Sequence, residues 1–536
     1  MTSCLARVGL TSYDRCAMTS CLARVPVATV ILATALIFAL LLALPGRTVT
    51  TAYVNDLFIF LDGAHRVMSG QVPNRDFHTA LGPLVYYLPS AGYWLSGRLA
   101  GAMPVAMALA VLALAPAAAH VLRSRLQPII ALVFGIFLLV LVAVPMNLGE
   151  GISSLSFAMF YNRIGWAALA TLLVMYLRPR AAGRSQAALD ALCAAFLTVA
   201  MLYMKVTYGV VALAFLGFML LDRVQWRWVA AALGLILLSG LVVELFWRAS
   251  AAHLADLLVA ARVSGTRGPV DLGQAFLTHL ADFTLLATFA VLALWRTRSL
   301  RDALFFAFCA GPGLLIVSQN SQPWGIITLQ AGAVVATELV ARSAGFEARR
   351  QRVGEALSAG APLLLLALLL PTAVHCLMAL VLHAGLAATD SGEEFDLPKL
   401  KGVKLALQWS PGDDELSTAY LGSVRAGARM LADLDAEPAR VSVLDFANPF
   451  SAGLGLPPPR GDQSWMHWGR NVDAEHFLPP EQMLEGVDVV MEPKWGINHL
   501  PLKPLYAGYV GQAFEPIRET DAWTLHVRRP RHAGAR

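Results

Sequence analysis

The feature that most constrains the fold of this chain is a series of long apolar runs that recur from Val27 to about Leu386. Each run has roughly 16 to 20 residues, enough for a helix to cross a hydrocarbon core of about 30 Å. Hydrophobic residues make up 57% of the 536 residues and charged residues only 14%, a balance far from that of soluble domains. The sequence therefore predicts a polytopic α-helical membrane protein with about 11–12 transmembrane helices.

The predicted spans are residues 27–44, 83–97, 104–121, 128–145, 164–177, 187–203, 206–221, 229–246, 276–295, 302–318, 325–341 and 361–386. Loops rich in arginine favour the cytoplasmic side, which leaves the segment 46–82 and the chain beyond residue 390 on the external side. Two apolar segments, 83–97 and 104–121, lie between the external loop 46–82 and the cytoplasmic Arg123. Only an odd number of crossings can connect opposite sides of the membrane. Residues 83–97 contain Pro89 and three tyrosines, so we expect this segment to lie at the membrane interface.

The chain divides into three predicted parts. Residues 1–26 form an N-terminal segment in which "MTSCLARV" occurs twice, so residues 1–17 are interpreted as an extension before a start at Met18. Residues 27–386 form the membrane module, with its first external loop at 46–82. From residue 390 to 536 prolines and charges rise, and alternating strand and helix patterns predict a soluble α/β domain.

The charge and the cysteines exclude other classes. The net charge of +5 comes mostly from arginines in short loops, so it indicates membrane topology and no nucleic acid partner. The six cysteines offer neither a disulfide framework nor a C-x-x-C metal motif.

The first external loop concentrates charge in a chain that otherwise has little of it. "TAYVNDLFIFLDGAHRVMSGQ" predicts a short helix resting on the membrane surface, with Asp56 near its start and Asp62 four residues before Arg66. A turn follows, which carries Arg75, Asp76 and His78. Two carboxylates flanking such a helix suit a reaction in which one base deprotonates an acceptor hydroxyl. The second would hold a divalent metal ion or sugar hydroxyls. The alternative to a catalytic role is that these aspartates are ordinary solvated charges of an external loop.

The order of an apolar helix, "ND" with a helix ending "GAHRVMSGQVP", then "RDF" and "GPLVYY", resembles the start of the GT-C glycosyltransferases. These include protein O-mannosyltransferases, aminoarabinose transferases and the RgtA/B/C/D-like bacterial group. By position the resemblance implies that Asp56 is catalytic and that Asp76 supports it. Many members have Asp-Glu where this chain has Asp56-Leu57. The sequence therefore leaves open whether a divalent metal ion is a cofactor, and Asp56 and Asp76 are its candidate ligands.

The resemblance implies a hexosyl- or pentosyltransferase of the bacterial inner membrane with a periplasmic C-terminal domain. Its expected donor is a sugar on a polyprenyl phosphate, and its acceptor is a hydroxyl of an envelope glycan, lipid or protein. Two alternatives stay open: a transporter or flippase, and an O-antigen ligase or polymerase. The first would show repeated halves with charges near the bilayer midplane. The second would concentrate its charges in a late external loop.

Four further predictions concern substrate contacts. Lys205, in "MLYMKVTYG", is predicted to bind the donor phosphate or to extend along a helix end to the interface. Arg163 is predicted to bind the same phosphate or a lipid headgroup. Tyr161, Asn162 and Glu150 are candidate substrate-binding residues together with Arg75 and His78. The loop "GDQSWMHWGRN" could stack on a sugar or form a structural aromatic cluster.

Overall fold

The computed structural model describes residues 26–265, 268–319, 322–323, 325–347, 352–407, 411–434 and 440–530. The predicted N-terminal segment lies outside these residues except for Pro26. Helices of the membrane module are α1 Val27–Ala43, α2 Val54–Met68, α3 Leu84–Ser96, α4 Ala102–Arg125, α5 Pro128–Ala143, α6 Phe160–Val174, α7 Arg184–Met204, α8 Val206–Met219, α9 Trp226–Trp247, α10 Ser250–Ser264, α11 Pro269–Thr278, α12 Leu280–Thr297, α13 Leu300–Ser318, α14 Ile327–Glu347 and α15 Arg352–Ala388.

The protein is a multi-pass membrane protein. Within the described residues six helical segments are long and apolar enough to cross a bilayer, namely Leu99–Arg125, Arg184–Met204, Trp226–Trp247, Leu280–Thr297, Leu300–Ser318 and Gly360–Ala388. Three shorter apolar helices accompany them, Val27–Ala43, Pro128–Ala143 and Val206–Met219. Eleven of the twelve predicted spans each correspond to one helix, and the span 276–295 is divided between α11 and α12 at His279. Fewer than twelve described helices meet the length and hydropathy expected of a full crossing.

Helix α3 explains the even number of predicted crossings between the first external loop and Arg123. Its 13 residues extend about 20 Å, less than the hydrocarbon thickness. It begins beside the α7–α8 break, where a Cβ on Gly82 would lie 2.1 Å from the carbonyl oxygen of Tyr203. Just beyond its end, the Ala100 carbonyl accepts a hydrogen bond from Thr48 in the first external loop. Both ends of α3 therefore face the same side of the bundle, as predicted for an interfacial helix.

The arginine-rich loops lie together at the other ends of the helices. Helix α4, about 36 Å long by its 24 residues, separates Arg125 from the first external loop. Ion pairs connect these loops: Arg125 to Asp190 at 2.8 Å, Arg180 to Glu338 at 2.9 Å, Arg301 to Asp222 at 2.9 Å and Arg342 to Glu338 at 3.0 Å. This common face agrees with the shared side that the loop arginines predicted.

The C-terminal part contains β2 Glu393–Glu394, β3 Val403–Leu405, α16 Pro411–Ala432, β4 Val441–Val443, α17 Pro449–Leu454, α18 Pro480–Met483, β5 Val489–Pro493, α19 His499–Ala513, β6 Phe514–Glu519 and β7 Trp523–Arg528. The larger sheet has the order β4-β5-β7-β6, with β4 and β5 parallel. Helix α18 has only four residues. Helix α19 and strand β6 have no counterpart in the sequence-based expectation.

The first external loop is built into the C-terminal part. Strand β1, Thr48–Thr50, pairs in parallel with β3, which also pairs with β2, so one three-stranded sheet joins segments more than 340 residues apart. Helix α2 is covered on both sides, because Phe58 contacts Phe395 at 5.2 Å and Phe60 contacts Phe160 at 4.9 Å. The predicted helix is therefore present, and it packs between the membrane module and the C-terminal part.

The connection between the predicted spans 229–246 and 276–295 is largely helical. Residues 250–264 form helix α10 and residues 269–278 form helix α11, which leaves a short connection between them.

A buried ion-pair triad fastens α2 to the C-terminal part. Arg66 Nε donates to Asp62 at 2.6 Å, which confirms the predicted pair four residues apart. The other edge of the guanidinium donates to both carboxylate oxygens of Asp462, at 2.7 and 2.8 Å. The three side chains are nearly inaccessible to solvent, so the two carboxylates are what compensate the charge of Arg66.

We predict that Asp462→Ala destabilises the protein by about 3–5 kcal/mol, because it leaves Arg66 without its bidentate partner in a dry environment. The matched change Asp62→Asn should cost much less. The amide oxygen at position 62 can still accept from Arg66 Nε, and the bidentate pair with Asp462 is kept. Thermal unfolding in detergent measures both, and equal losses would contradict this ranking.

Candidate active site

A cavity of about 500 Å³ opens between the membrane module and the C-terminal part. Three sets of residues line it: the start of α2 with the turn before it, the start of α6, and loops and helix α16 of the C-terminal part. They are Ala52, Tyr53, Val54, Asn55, Asp56, Ile59, Phe60, Leu81, Met159, Tyr161, Leu416, Ser417, Tyr420, Phe446, Trp465, His467, Arg470, Trp495, Gly496 and Ile497. Neither part of the chain forms this cavity alone.

Asp56 is the acidic residue of the cavity wall. The chain turns into α2 at Tyr53, whose φ of 52° is left-handed, and Asp56 then lies in the first helical turn. There the free N–H groups of the helix favour a negative charge. Burial nevertheless raises the pKa of Asp56 to about 7, and the nearby Arg470 guanidinium opposes part of that rise. A carboxyl group with this pKa can exchange a proton at neutral pH.

The positive charges of the site come from both parts of the protein. Arg470 lines the cavity from the C-terminal part, and its charge acts on Asp56 and on Lys205. Lys205 lies at the break between α7 and α8 and donates to Asn162 Oδ1 at 3.0 Å. Its ammonium group is also 5.6 Å from the ring centre of Tyr161, which lines the cavity. Arg470 is thus the cation that acts on Asp56, and Lys205 lies behind the cavity wall beside Tyr161 and Asn162.

One side of the cavity is lined by aromatic side chains of the C-terminal part, which we call the aromatic wall. Its residues are Tyr420, Phe446, Trp465, His467 and Trp495. Phe446 and Trp465 meet edge to face at 6.1 Å, and His467 lies 5.3 Å from Phe446. Burial, followed by the charge of Arg470, lowers the pKa of His467 to about 4, so its imidazole is neutral at pH 7. The indole N–H of Trp465 is buried without a hydrogen-bond partner among the described residues.

A second carboxyl group approaches the cavity from the C-terminal part. Asp445 lies two residues after the end of β4, and a Cβ on the cavity residue Gly496 would lie 3.9 Å from its Oδ1. Burial raises the pKa of Asp445 to about 6, against a hydrogen bond from the backbone N–H of Phe446. Sequence reasoning missed this residue, although an aspartate at the end of the short strand "VSV" was a usable signal.

The structure does not bring Asp76 to the cavity. Its Oδ2 accepts a hydrogen bond from the backbone N–H of Val72 at 2.7 Å, and Arg75 and Arg460 lie at 3.4 and 3.8 Å. Its backbone carbonyl accepts from Gly461 at 2.7 Å. Asp76 therefore stabilises a turn and joins it to the C-terminal part. Arg75 is exposed beside it and does not line the cavity.

His78 joins three segments outside the cavity. Its Nδ1 lies 2.8 Å from Asp256 in α10 and its Nε2 lies 3.0 Å from Gln482. Asp256 also accepts from Asn74 and from the Thr79 backbone. His78 therefore holds the first external loop against α10 and does not reach the cavity in this arrangement.

Of the other predicted contacts, Tyr161 lines the cavity, and the loop "GDQSWMHWGRN" lines it through Trp465, His467 and Arg470. Asn162 lies behind Tyr161 and holds Lys205. Glu150 accepts a hydrogen bond from the cavity residue Tyr53 at 2.7 Å. Arg163 is buried in the first turn of α6 and lines a separate, much smaller cavity. Within the described residues no group of three or more His, Cys, Asp or Glu side chains is arranged to hold a metal ion.

No protein-family model and no curated protein matches this chain. Solved structures that resemble it include ArnT from Cupriavidus metallidurans bound to undecaprenyl phosphate, at 15% identity over 95% of this chain and 99% of that chain, TM-score 0.49. The same protein in the apo state gives 14% identity over 97% and 100%, TM-score 0.47. The Archaeoglobus fulgidus oligosaccharyltransferase complex with Zn and sulfate gives 11% over 91% and 71%, TM-score 0.31.

These likenesses concern the overall fold. We therefore derive the proposed function from the residues of the cavity.

We predict that the contact between His78 and α10 weakens as pH rises. The hydrogen bond to Asp256 raises the pKa of His78, although burial opposes the rise. The pair stabilises the fold fully below the unfolded pKa of about 6.5, and this contribution is lost as pH rises through the folded pKa. Hydrogen exchange in Ser250–Ser264, corrected for intrinsic rates, should speed up above that pKa.

The control is His78→Gln, which should exchange at the same corrected rate at low and high pH. His253 also lies in α10, but burial lowers its pKa, so its titration would act at lower pH. If α10 of the wild type shows no pH dependence that His78→Gln removes, the proposed ion pair is wrong.

Proposed function

We propose that this protein is a glycosyltransferase that moves a sugar from a polyprenyl-phosphate donor to a hydroxyl group of an envelope glycan, lipid or protein. The supporting observation is the position of Asp56: a carboxyl group with a pKa of about 7 on the wall of a cavity of about 500 Å³. That volume lies in the range of small-molecule sites. The external face of the bacterial inner membrane is the proposed location.

In the proposed reaction Asp56 acts as general base. Its ionised carboxylate takes the proton of the acceptor hydroxyl while the acceptor oxygen attacks the anomeric carbon of the donor sugar. The bond from that carbon to the phosphate oxygen breaks, its electron pair leaves with the polyprenyl phosphate, and the configuration at the anomeric carbon is inverted. A base whose pKa is near the working pH suits this step, since it is ionised often enough and still accepts the proton.

Arg470 and Lys205 are the proposed partners of the donor phosphate. The departing phosphate gains negative charge as the bond breaks, and cations near it stabilise that charge. Lys205 is held by Asn162, so its ammonium group needs little reorganisation. Arg163 belongs to this proposal only indirectly, because it lies beside Asn162 and not on the cavity wall.

The aromatic wall is the proposed platform for sugar rings. Aromatic faces pack against the apolar faces of sugars, while donors and acceptors at their edges bind hydroxyl groups. The buried indole N–H of Trp465 and the neutral imidazole of His467 are suitable edge groups. Asp445 lies behind this wall and is a further candidate acceptor of sugar hydroxyl protons.

A transporter is the second candidate, and the position of the cavity argues against it. The cavity lies between the membrane module and the C-terminal part, whereas transporter sites lie near the bilayer midplane between repeated halves. Mass spectrometry of envelope glycans and lipids from cells with and without the gene tests the choice. Loss of a hexose or pentose supports the transferase. An unchanged glycan profile with altered solute uptake would support the transporter.

We predict that Asp56→Asn lowers the transfer rate about 100- to 10,000-fold, the range typical for loss of a general base. The assay uses purified protein in lipid nanodiscs with a synthetic polyprenyl-phosphate sugar and the acceptor found by mass spectrometry. Asp76→Asn is the comparison in the same loop and should keep most of the activity, because Asp76 bonds to its own turn. Full transfer by Asp56→Asn would remove this residue from the reaction.

We also predict a specific pH profile. The rate at low substrate concentration should fall about tenfold per pH unit below about 7, because the base is then protonated. Arg470→Gln should move this limb to higher pH, since the guanidinium opposes the rise of the pKa of Asp56. Arg460→Gln, an exposed arginine of the same domain that does not line the cavity, is the control and should leave the limb in place. A limb that Arg470→Gln does not move would contradict the proposed electrostatics.

A further inference from the structure

Arg163 is buried at 1% exposure in the first turn of α6, yet it forms no ion pair with any described carboxylate. Its Nη1 donates to the Ala158 carbonyl at 3.2 Å and approaches Asn147 Oδ1 at 3.5 Å. Nε and Nη2 are buried and have no hydrogen-bond partner among the described residues. A buried cation in this state is costly unless something negative compensates it.

A second buried donor points to the same place. Asn147, 4% exposed, has no partner for its Nδ2 among the described residues. Arg163 sets the orientation of the Asn147 amide. If Oδ1 and Nδ2 were exchanged, the amide NH₂ would face the Nη1 donor of Arg163. Arg163 and Asn147 line one small cavity together with Leu148, Met159, Asn162 and Gln322.

The size and chemistry of this cavity limit its occupant. It measures about 10 Å³, room for about one water-sized sphere, so a tetrahedral phosphate does not fit, and a halide ion, which is somewhat larger than water, fits when the lining side chains move outward slightly. The groups without partners are all donors: two guanidinium N–H positions and an amide NH₂. The N-terminal end of the 15-residue helix α6 adds a partial positive charge. An occupant that only accepts hydrogen bonds and carries one negative charge satisfies all of them.

We propose that Arg163 and Asn147 hold a resident monatomic anion of the halide class, such as chloride. The anion neutralises the guanidinium and completes the hydrogen bonds of the first turn of α6. Its place beside Asn162, which holds Lys205, makes it a structural element behind the cations of the large cavity. The inference does not depend on the proposed transferase activity, because it follows from charge and burial alone.

The direct test is crystallography of the full-length protein in bromide, with anomalous scattering to locate the ion. We expect a bromide peak within hydrogen-bond distance of Arg163 Nε or Nη2. Thermal unfolding is the second measurement, with chloride replaced by gluconate at constant ionic strength. The midpoint should rise with chloride by on the order of 1 °C per tenfold increase above the dissociation constant.

Asn147→Asp is the matched variant, since it places a fixed carboxylate where the amide oxygen approaches Arg163. It should lose the bromide peak and the chloride dependence while remaining as stable in gluconate as the wild type is in chloride. Arg248→Gln, an exposed arginine, controls for general salt effects and should keep the wild-type response. A wild type with no bromide peak and no chloride dependence would show that the cavity holds only water and would overturn the proposal.

Discussion

The arrangement of the site depends on one buried contact, the guanidinium of Arg66 between the carboxylates of Asp62 and Asp462. It fixes α2 to the loop that begins at Gly461, and that loop carries Trp465, His467 and Arg470 into the cavity. Because the three charged groups are dry, they stabilise only one register: a shift of either segment would leave a charge without its partner. The parallel pairing of β1 with β3 fastens the first external loop to the C-terminal part at a second place.

This fastening explains how one aspartate acquires a pKa near neutrality. Asp56 lies at a helix start, a place that by itself favours the ionised form. The C-terminal part covers the helix and removes water, and this loss of hydration outweighs the helix and the nearby Arg470. The charge balance of the cavity is therefore a property of the junction. If the C-terminal part no longer packed on α2, the pKa of Asp56 would return toward its usual value. The carboxyl group of Asp56 would also be separated from Arg470.

Two buried arginines illustrate two ways of compensating a cation. Arg66 has two carboxylates, one from its own helix and one 396 residues away in the chain. Arg163 has neutral oxygen acceptors on one side only, and donors face the remaining space. The first arginine joins two parts of the protein, whereas the second needs a compensating charge from outside the chain. Both lie within one or two helical turns of residues that reach the large cavity.

Local sequence pattern determined much of this protein. Hydropathy predicted the helices because each apolar run must satisfy its own backbone hydrogen bonds in lipid. Residue spacing predicted the Asp62–Arg66 pair, and position after the first helix marked Asp56. Only the tertiary structure decided which charges meet. Asp76 bonds to Val72 in its own turn and to Gly461, away from the cavity, whereas Trp495 and Arg470 reach the cavity of Asp56, and Asp445 lies beside it, from more than 380 residues away. Such partners follow from packing of distant segments, and periodicity carries no information about that packing.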